Sequence, residues 1–358
     1  MRTAELLIRR LELIHRWYQG MVRPETGRLE YLYIPETDAF VRESSPIRDV
    51  ASVWDVEVLG EFLKRRELHP LIERSLRYYD DFLVERDDAL ILDPERLEEP
   101  SSIAHSAFMI LALLHAPSRR WTRRVAALAS GILHQQRPDG SYKVYFHDVP
   151  DDGEELYAGE AMLALMESYR HSRDPRHLES VERGFSYYDA EYFRRGRVAA
   201  DMLVFFANWQ SQACRLLAES TPSAALEREV ADYVFRMHDR ILDRGFYEDV
   251  ERNPARQASV EVACALEGLG DAYALARTSA PRAERYGHCI CTGLTYLLGL
   301  QCTEDGTERE RGGFGVSLGE RAQRIDVTGH AASAFLKSVT NAIECPPTPS
   351  RSRPLGAG

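Results

Sequence analysis

Glu154 to Ser172 reads EELYAGEAMLALMESYRHS, opening on acidic residues and turning small and apolar in its middle. That pattern predicts a helix with almost no face for water, one that must be buried on nearly all sides. It follows the Gly/Asp-rich loop QQRPDGSYKVYFHDVPDDG (135–153), which follows an amphipathic, Arg-rich stretch. The unit of outer helix, polar loop and inner helix recurs along the chain. Inner helices are expected over Asp49–Arg65, Ser101–Ala116, Glu154–Ser172, Asp201–Glu219, Gln257–Ala276 and Arg324–Ile343. Outer helices are expected over Thr3–Gly20, His69–Glu85, Ser118–Gln136, Pro175–Phe193, Ala224–Leu242 and Pro281–Gln301. A repeat of about 50 residues lies in the range of repeat architectures. Inner helices this apolar are buried if six of them close into a ring inside their outer partners; an open helical solenoid is the alternative. The loops before the inner helices are long and those after them short, which gives the molecule one elaborated face.

The chain has 358 residues, 44% of them hydrophobic, enough for one large core. A single domain is expected over 1–344, with a Pro/Ser/Gly-rich disordered tail over 345–358. The segment RPETGRLEYLYIPETDAF, with alternating Leu29, Tyr31 and Tyr33, predicts a β-hairpin or extended loop. The net charge of −11 argues against a nucleic-acid partner, because phosphate contacts need clustered Lys and Arg. Arg119, Arg120, Arg123 and Arg124 read as a solvated outer-helix face. The N-terminal stretch mixes Arg and Glu and does not resemble a secretory signal. No stretch approaches the ~20 apolar residues of a membrane span. Six cysteines are too sparse for a disulfide scaffold, so a cytoplasmic setting is expected.

Several motifs carry a resemblance. Gln136-Arg-Pro-Asp-Gly140-Ser-Tyr142 is similar to the Gln-x-x-x-Gly-x-Trp repeat of squalene-type cyclases, with Tyr in place of Trp, and Gln301–Gly306 is a looser copy. GGFGVSLGERAQRIDVTGHAASAF resembles segments of carbohydrate-active toroids. As a pattern, the whole chain resembles the α/α toroids: six-hairpin glycosidase-like proteins and sugar epimerases, and more distantly the terpenoid cyclases and prenyltransferases. The resemblance implies an all-α (α/α)6 toroid with short β-hairpins or loops on one face. The Asp-x-Asp-Asp acid motif of the cyclases is absent. Tyr286-Gly-His288-Cys289-Ile-Cys291 echoes the prenyltransferase zinc segment without its Asp-x-Cys partner. His288, Cys289, Cys291 and Cys302 fit no closed zinc pattern, and no cofactor-binding fingerprint is present.

In a closed ring the inner-helix N-termini share one end, where their partial positive charge favours carboxylates and anions. Delivered there, as candidate substrate-binding residues, are Asp49, Trp54 and Asp55, Tyr142 and Tyr145, Glu155, Trp209, Glu261, Phe314 and Arg324. The candidate catalytic residues are Glu160 and Asp326 as acid or base, assisted by Tyr157, His105 and His330. Carboxylates within aromatic walls suit a sugar, since rings stack on a pyranose face and carboxylates supply acid and base. Each has a structural reading too. Asp49 reads as an N-cap, Glu155 and Asp326 as complements to helix dipoles, His105 as a satisfied core histidine, and Trp54 and Trp209 as packing residues. Asp326 and His330 at i, i+4, and Tyr157 and Glu160 at i, i+3, share helix faces. The expectation is a carbohydrate-active enzyme acting on a sugar, uronic acid or oligosaccharide. Hydrolysis, epimerisation and elimination are not separated. A non-catalytic binding or assembly module, and a cyclase- or prenyltransferase-like protein, are the alternatives.

Overall fold

The computed structural model describes residues 2–41, 45–116, 118–304 and 306–346. The expected tail beyond Pro346, and Asp305 of the second Gln...Asp-Gly turn, lie outside them. In chain order the elements begin with α1 (Thr3–Met21), strands β1 (Leu32–Ile34) and β2 (Ala39–Val41), α2 (Pro46–Leu63), α3 (His69–Asp80), strands β3 (Leu83–Arg86) and β4 (Ala89–Leu92), and the single turn α4 (Pro94–Leu97). There follow α5 (Ile103–His115), α6 (Thr122–His134), α7 (Glu154–Ser172), α8 (Pro175–Tyr187), α9 (Leu203–Ser220), α10 (Ala224–Asp243) and the short α11 (Phe246–Arg252). The chain ends with α12 (Ser259–Ala276), α13 (Ala280–Leu300), β5 (Gly315–Ser317), β6 (Glu320–Arg324) and α14 (Ile325–Thr340).

The inner helices form a closed ring. α2 packs on α5, α5 on α7, α7 on α9, α9 on α12, α12 on α14, and α14 returns onto α2. The outer layer is α1, α3, α6, α8, α10 and α13, with α1 laid over both α14 and α2. This is the (α/α)6 toroid, and the solenoid alternative is set aside by the α14–α2 contact. Among the described residues no helix is long and apolar enough to cross a membrane.

Glycines let the inner helices approach closely. A Cβ on Gly159 of α7 would stand 2.6 Å from Trp209 Cβ of α9, and one on Gly268 of α12 would stand 2.7 Å from Asn208 Cα of α9. Gly329 of α14 leaves room for the Asp55 carboxylate of α2. The seam where the chain's ends meet is stitched by α1. Trp17 Nε1 donates to Gln323 Oε1 (2.7 Å), and Tyr18 OH donates to the Ile325 carbonyl (3.1 Å).

A four-stranded antiparallel sheet of order β2-β1-β6-β5 covers part of the loop face, joining the first long loop to the one before α14. The sequence places strand character in the first loop; the strands it pairs with come from residues nearly 300 positions away, a partnership local pattern does not encode. The β3–β4 hairpin replaces the last residues expected in the second outer helix, and turns at Asp87 and Asp88, both left-handed. Cys291 of α13 is bonded to Cys345, with their Cα atoms 5.4 Å apart. Counting cysteines could not foresee that pair. Cys345, assigned to the tail from composition, is therefore tied to the ring, and its amide also donates to Thr3 Oγ1 (2.9 Å).

The Gly159→Ala variant should lose stability. Alanine ordinarily favours a helix over glycine by about 1 kcal/mol, but here its methyl collides with the Trp209 backbone. Overpacking costs of about 1–3 kcal/mol are expected to prevail. Denaturant unfolding of Gly159→Ala beside an exposed control, Gly299→Ala, which has open space around it, measures the difference.

Candidate active site

Within the ring an aromatic file crosses from α2 to α14. Trp54 meets Phe108 at 6.4 Å between ring centroids, Phe108 meets Trp209 at 5.5 Å, and Trp209 meets His330 edge-on at 5.7 Å. His330 is the hub of the site. Its Nδ1 shares a 2.8 Å hydrogen bond with Glu267 Oε2 of α12, which also accepts from Asn208 Nδ2 of α9 at 2.9 Å. Burial alone would strip the imidazole of its proton. The Glu267 carboxylate on the facing helix, hydrogen-bonded to the ring with the Cys264 sulfur beside it, outweighs that, and His330 titrates well above an ordinary histidine. Burial pushes Glu267 the other way, but Lys337 and His330 hold it ionised down to about 2.

Two further carboxyls face this cation, Glu160 from the opposite side of the ring and Asp55 from the neighbouring α2. Glu160 of α7 is buried, and its Oε2 has no hydrogen-bond partner. Burial drives its pKa up to about 8, although His330 and Arg48 pull it back, so it carries its proton at neutral pH. Asp55 of α2 is raised to about 7 by burial, against the pull of His330 and with a push from Glu267 and Asp326. Tyr157, one turn before Glu160 on α7, is raised to about 12 by burial and by Glu160.

The mouth is charged. Asp326 at the start of α14 pairs with Arg324 and with Arg48 Nε (3.1 Å). Burial would raise Asp326, but the arginines win and keep it ionised below the usual carboxylate range. Both guanidinium groups stack over Tyr31, Arg48 at 5.5 Å and Arg324 at 5.6 Å from the ring centroid.

The structure thus brings Trp54, Asp55, Tyr157, Glu160, Trp209, Arg324, Asp326 and His330 around one interior. Tyr145 lies beside them, its ring edge-on to Tyr157 with the centroids 6.5 Å apart and its hydroxyl donating to Asp152 Oδ1 (2.5 Å). The other candidates have the following partners in the fold. Asp49 is a buried clamp: Oδ1 accepts from the Leu29 amide (2.9 Å), and Oδ2 accepts from Arg28 Nε (2.9 Å) and Tyr79 OH (2.5 Å). His105 completes the α5 cap, its Nδ1 accepting from the Ser102 amide (3.2 Å) while Nε2 pairs with Glu99 Oε1 (3.0 Å). Tyr142 is fully buried and bonded to Ser180 Oγ (2.8 Å), and Phe314 is fully buried against Phe335 at 5.8 Å. Glu155 lies beside Tyr192 of the π-helical turn Tyr188–Phe193 that follows α8. Glu261 is half-buried, raised by burial and by Asp201.

Sequence reasoning missed Glu267, Cys264 and Lys337. Their signal was present: Glu267 and Asp271 are acidic residues spaced i, i+4 in the middle of an apolar inner helix, where an unpaired charge is costly. Cys291 is occupied by its disulfide, and among the described residues no group of three or more His, Cys, Asp or Glu is arranged to hold a metal ion.

No protein-family model matches the chain, and no curated protein matches it by sequence. Solved structures do match in fold. A sugar epimerase from a ruminal bacterium superposes with a TM-score of 0.70 at 12% identity, over 96% of this chain and 100% of that one. The unsaturated glucuronyl hydrolase of Bacillus sp. GL1 gives 0.68 at 12% identity, over 95% and 97%. The cellobiose 2-epimerase of Bacillus thermoamylovorans gives 0.66 at 10% identity, over 94% and 98%. All are six-hairpin glycosidase-like toroids, and this chain shares their fold.

The Glu160 shift has a stability consequence. A glutamate raised to about 8 in the fold binds a proton that the unfolded chain releases near its ordinary value. Stability from this group is therefore full below about pH 4.5 and is lost as pH rises toward 8. Glu160→Gln should gain stability relative to the wild type between pH 5 and pH 8, on the order of 2–4 kcal/mol. Thermal melts across that range check it; parallel curves for the two proteins would contradict it.

Proposed function

We propose that the protein is a carbohydrate-active enzyme that moves protons on a sugar, uronic acid or short oligosaccharide bound inside the ring. The observation that carries this reading is the Glu160 carboxyl, buried, protonated at neutral pH, and left with one oxygen unpartnered. A native fold seldom leaves such an atom unsatisfied without use for it. In this reading Glu160 is the general acid. Asp55, raised to about 7, is poised to take a proton at the same pH. The His330 imidazolium, fixed by Glu267, steadies negative charge that develops between them. Trp54 and Trp209 supply ring faces, and Asp326 accepts hydroxyl hydrogens. The Arg48–Arg324 pair over Tyr31 favours a substrate that carries a carboxylate, since guanidinium groups match that geometry. The sugar-acting names printed for the fold's relatives support the same substrate class.

The test is turnover on a panel of aldoses, disaccharides and saturated and unsaturated uronides, by wild type and Glu160→Gln. Loss of about 10²–10⁴ in kcat with retained binding is expected. Undiminished turnover by Glu160→Gln would overturn the assignment.

A further inference from the structure

Beneath the proposed site runs a line of alternating charge that leads out of it. His330 Nδ1 meets Glu267 Oε2 at 2.8 Å, and Glu267 Oε1 lies 3.8 Å from Lys337 Nζ. Lys337 Nζ also donates to Asp271 Oδ2 at 2.7 Å, Asp271 Oδ1 accepts from Arg215 Nε at 2.5 Å, and Arg215 Nη1 pairs with Glu219 Oε1 at 2.6 Å. The spacing explains the register. His330 and Lys337 stand two turns apart on one face of α14, and Glu267 and Asp271 stand one turn apart on the facing side of α12. The Lys337 stem is fixed over Gly270, where an added Cβ would stand 3.0 Å from Lys337 Cβ.

We propose that Lys337 is a positioning residue that divides the Glu267 carboxylate between itself and His330, and so sets how firmly the imidazole keeps its proton. Charges in this buried interior must be balanced by one another. Glu267 and Asp271 are each about 2% exposed, so their partners are not water. With Lys337 present, one carboxylate serves two cations. Without it, Glu267 serves His330 alone. His330 is also faced by Asp55 from α2, Glu160 from α7, Cys264 from α12 and Asp326 from its own helix, all four its electrostatic neighbours along with Glu267. α9 presents it with the uncharged Trp209 ring. The four carboxyls and the thiol either hold the proton on or lie neutral beside it. Lys337 is the second cation on the shared carboxylate, beside His330 itself, and the one whose removal changes the balance. Removing a cation raises the affinity of every neighbouring group for a proton, so the sign is fixed.

This proposal rests on the reading of His330 as part of the working site, but its first test does not. The imidazole of His330 is titrated by ¹⁵N NMR in wild type, Lys337→Met and Lys337→Arg. The midpoint should rise by about one pH unit or more in Lys337→Met, and return toward the wild-type value in Lys337→Arg. An unchanged midpoint in a folded Lys337→Met overturns the proposal, whatever the enzyme's activity. If Lys337→Met does not fold, Lys337→Gln and the Lys337→Arg comparison carry the same measurement. Where a substrate has been found, the pH–kcat profile of Lys337→Met should move in the same direction by the same amount. A matched NMR shift with an unmoved profile would sink the functional premise and leave the electrostatic one standing.

Discussion

Six apolar helices with no solvent face leave the chain one constraint: each must be covered on both flanks, and the last must cover the first. The return of α14 onto α2 meets it. Closure at that point needs three things in register. α1 bridges the two helices through Trp17 and Tyr18, β6 pairs with β1, and Gly329 gives way to Asp55. The ring's interior, where the titrating residues meet, exists only because the seam closes. Asp55 and His330 sit on either side of it.

The interior is too dry for charge to be tolerated singly, and the arrangement follows from that. Glu267 is ionised because Asn208, His330 and Lys337 surround it from two helices. Glu160 has no such escort and stays protonated. One inner-ring carboxyl is thus an anion that orients a histidine, and another is an acid with an oxygen to offer. Placing carboxyls in unlike environments separates their roles without any change of residue type.

Much of this was legible in the sequence and some was not. The alternation of helices was legible because a helix like Ser101–Ala116, apolar on every face, has no stable place outside a closed layer. Glu160 was legible because an acid in a small-and-apolar stretch is hard to put on a surface. Asp326 with His330 was legible from their shared face. The partners of Asp49 were not legible, since an aspartate at the start of an inner helix looks the same whether or not it meets, as here, the Leu29 amide and Arg28. His105 likewise turned out to face Ser102 and Glu99. Tyr142 and Phe314 belong to loops whose path over the ring no local rule predicts, and both ended fully buried. The disulfide and the β1–β6 pairing join segments far apart in sequence, beyond the reach of periodicity.

The proposed chemistry depends on a protonated Glu160 inside the ring. Carboxyl ¹³C NMR titration of the wild type and Glu160→Gln addresses it directly. A glutamate resonance with a midpoint near 8 is expected in the wild type and missing from the variant. A Glu160 resonance that titrates in the ordinary range near pH 4.3 would contradict it, because an exposed, ionised carboxylate at that position could not serve as the acid of the site.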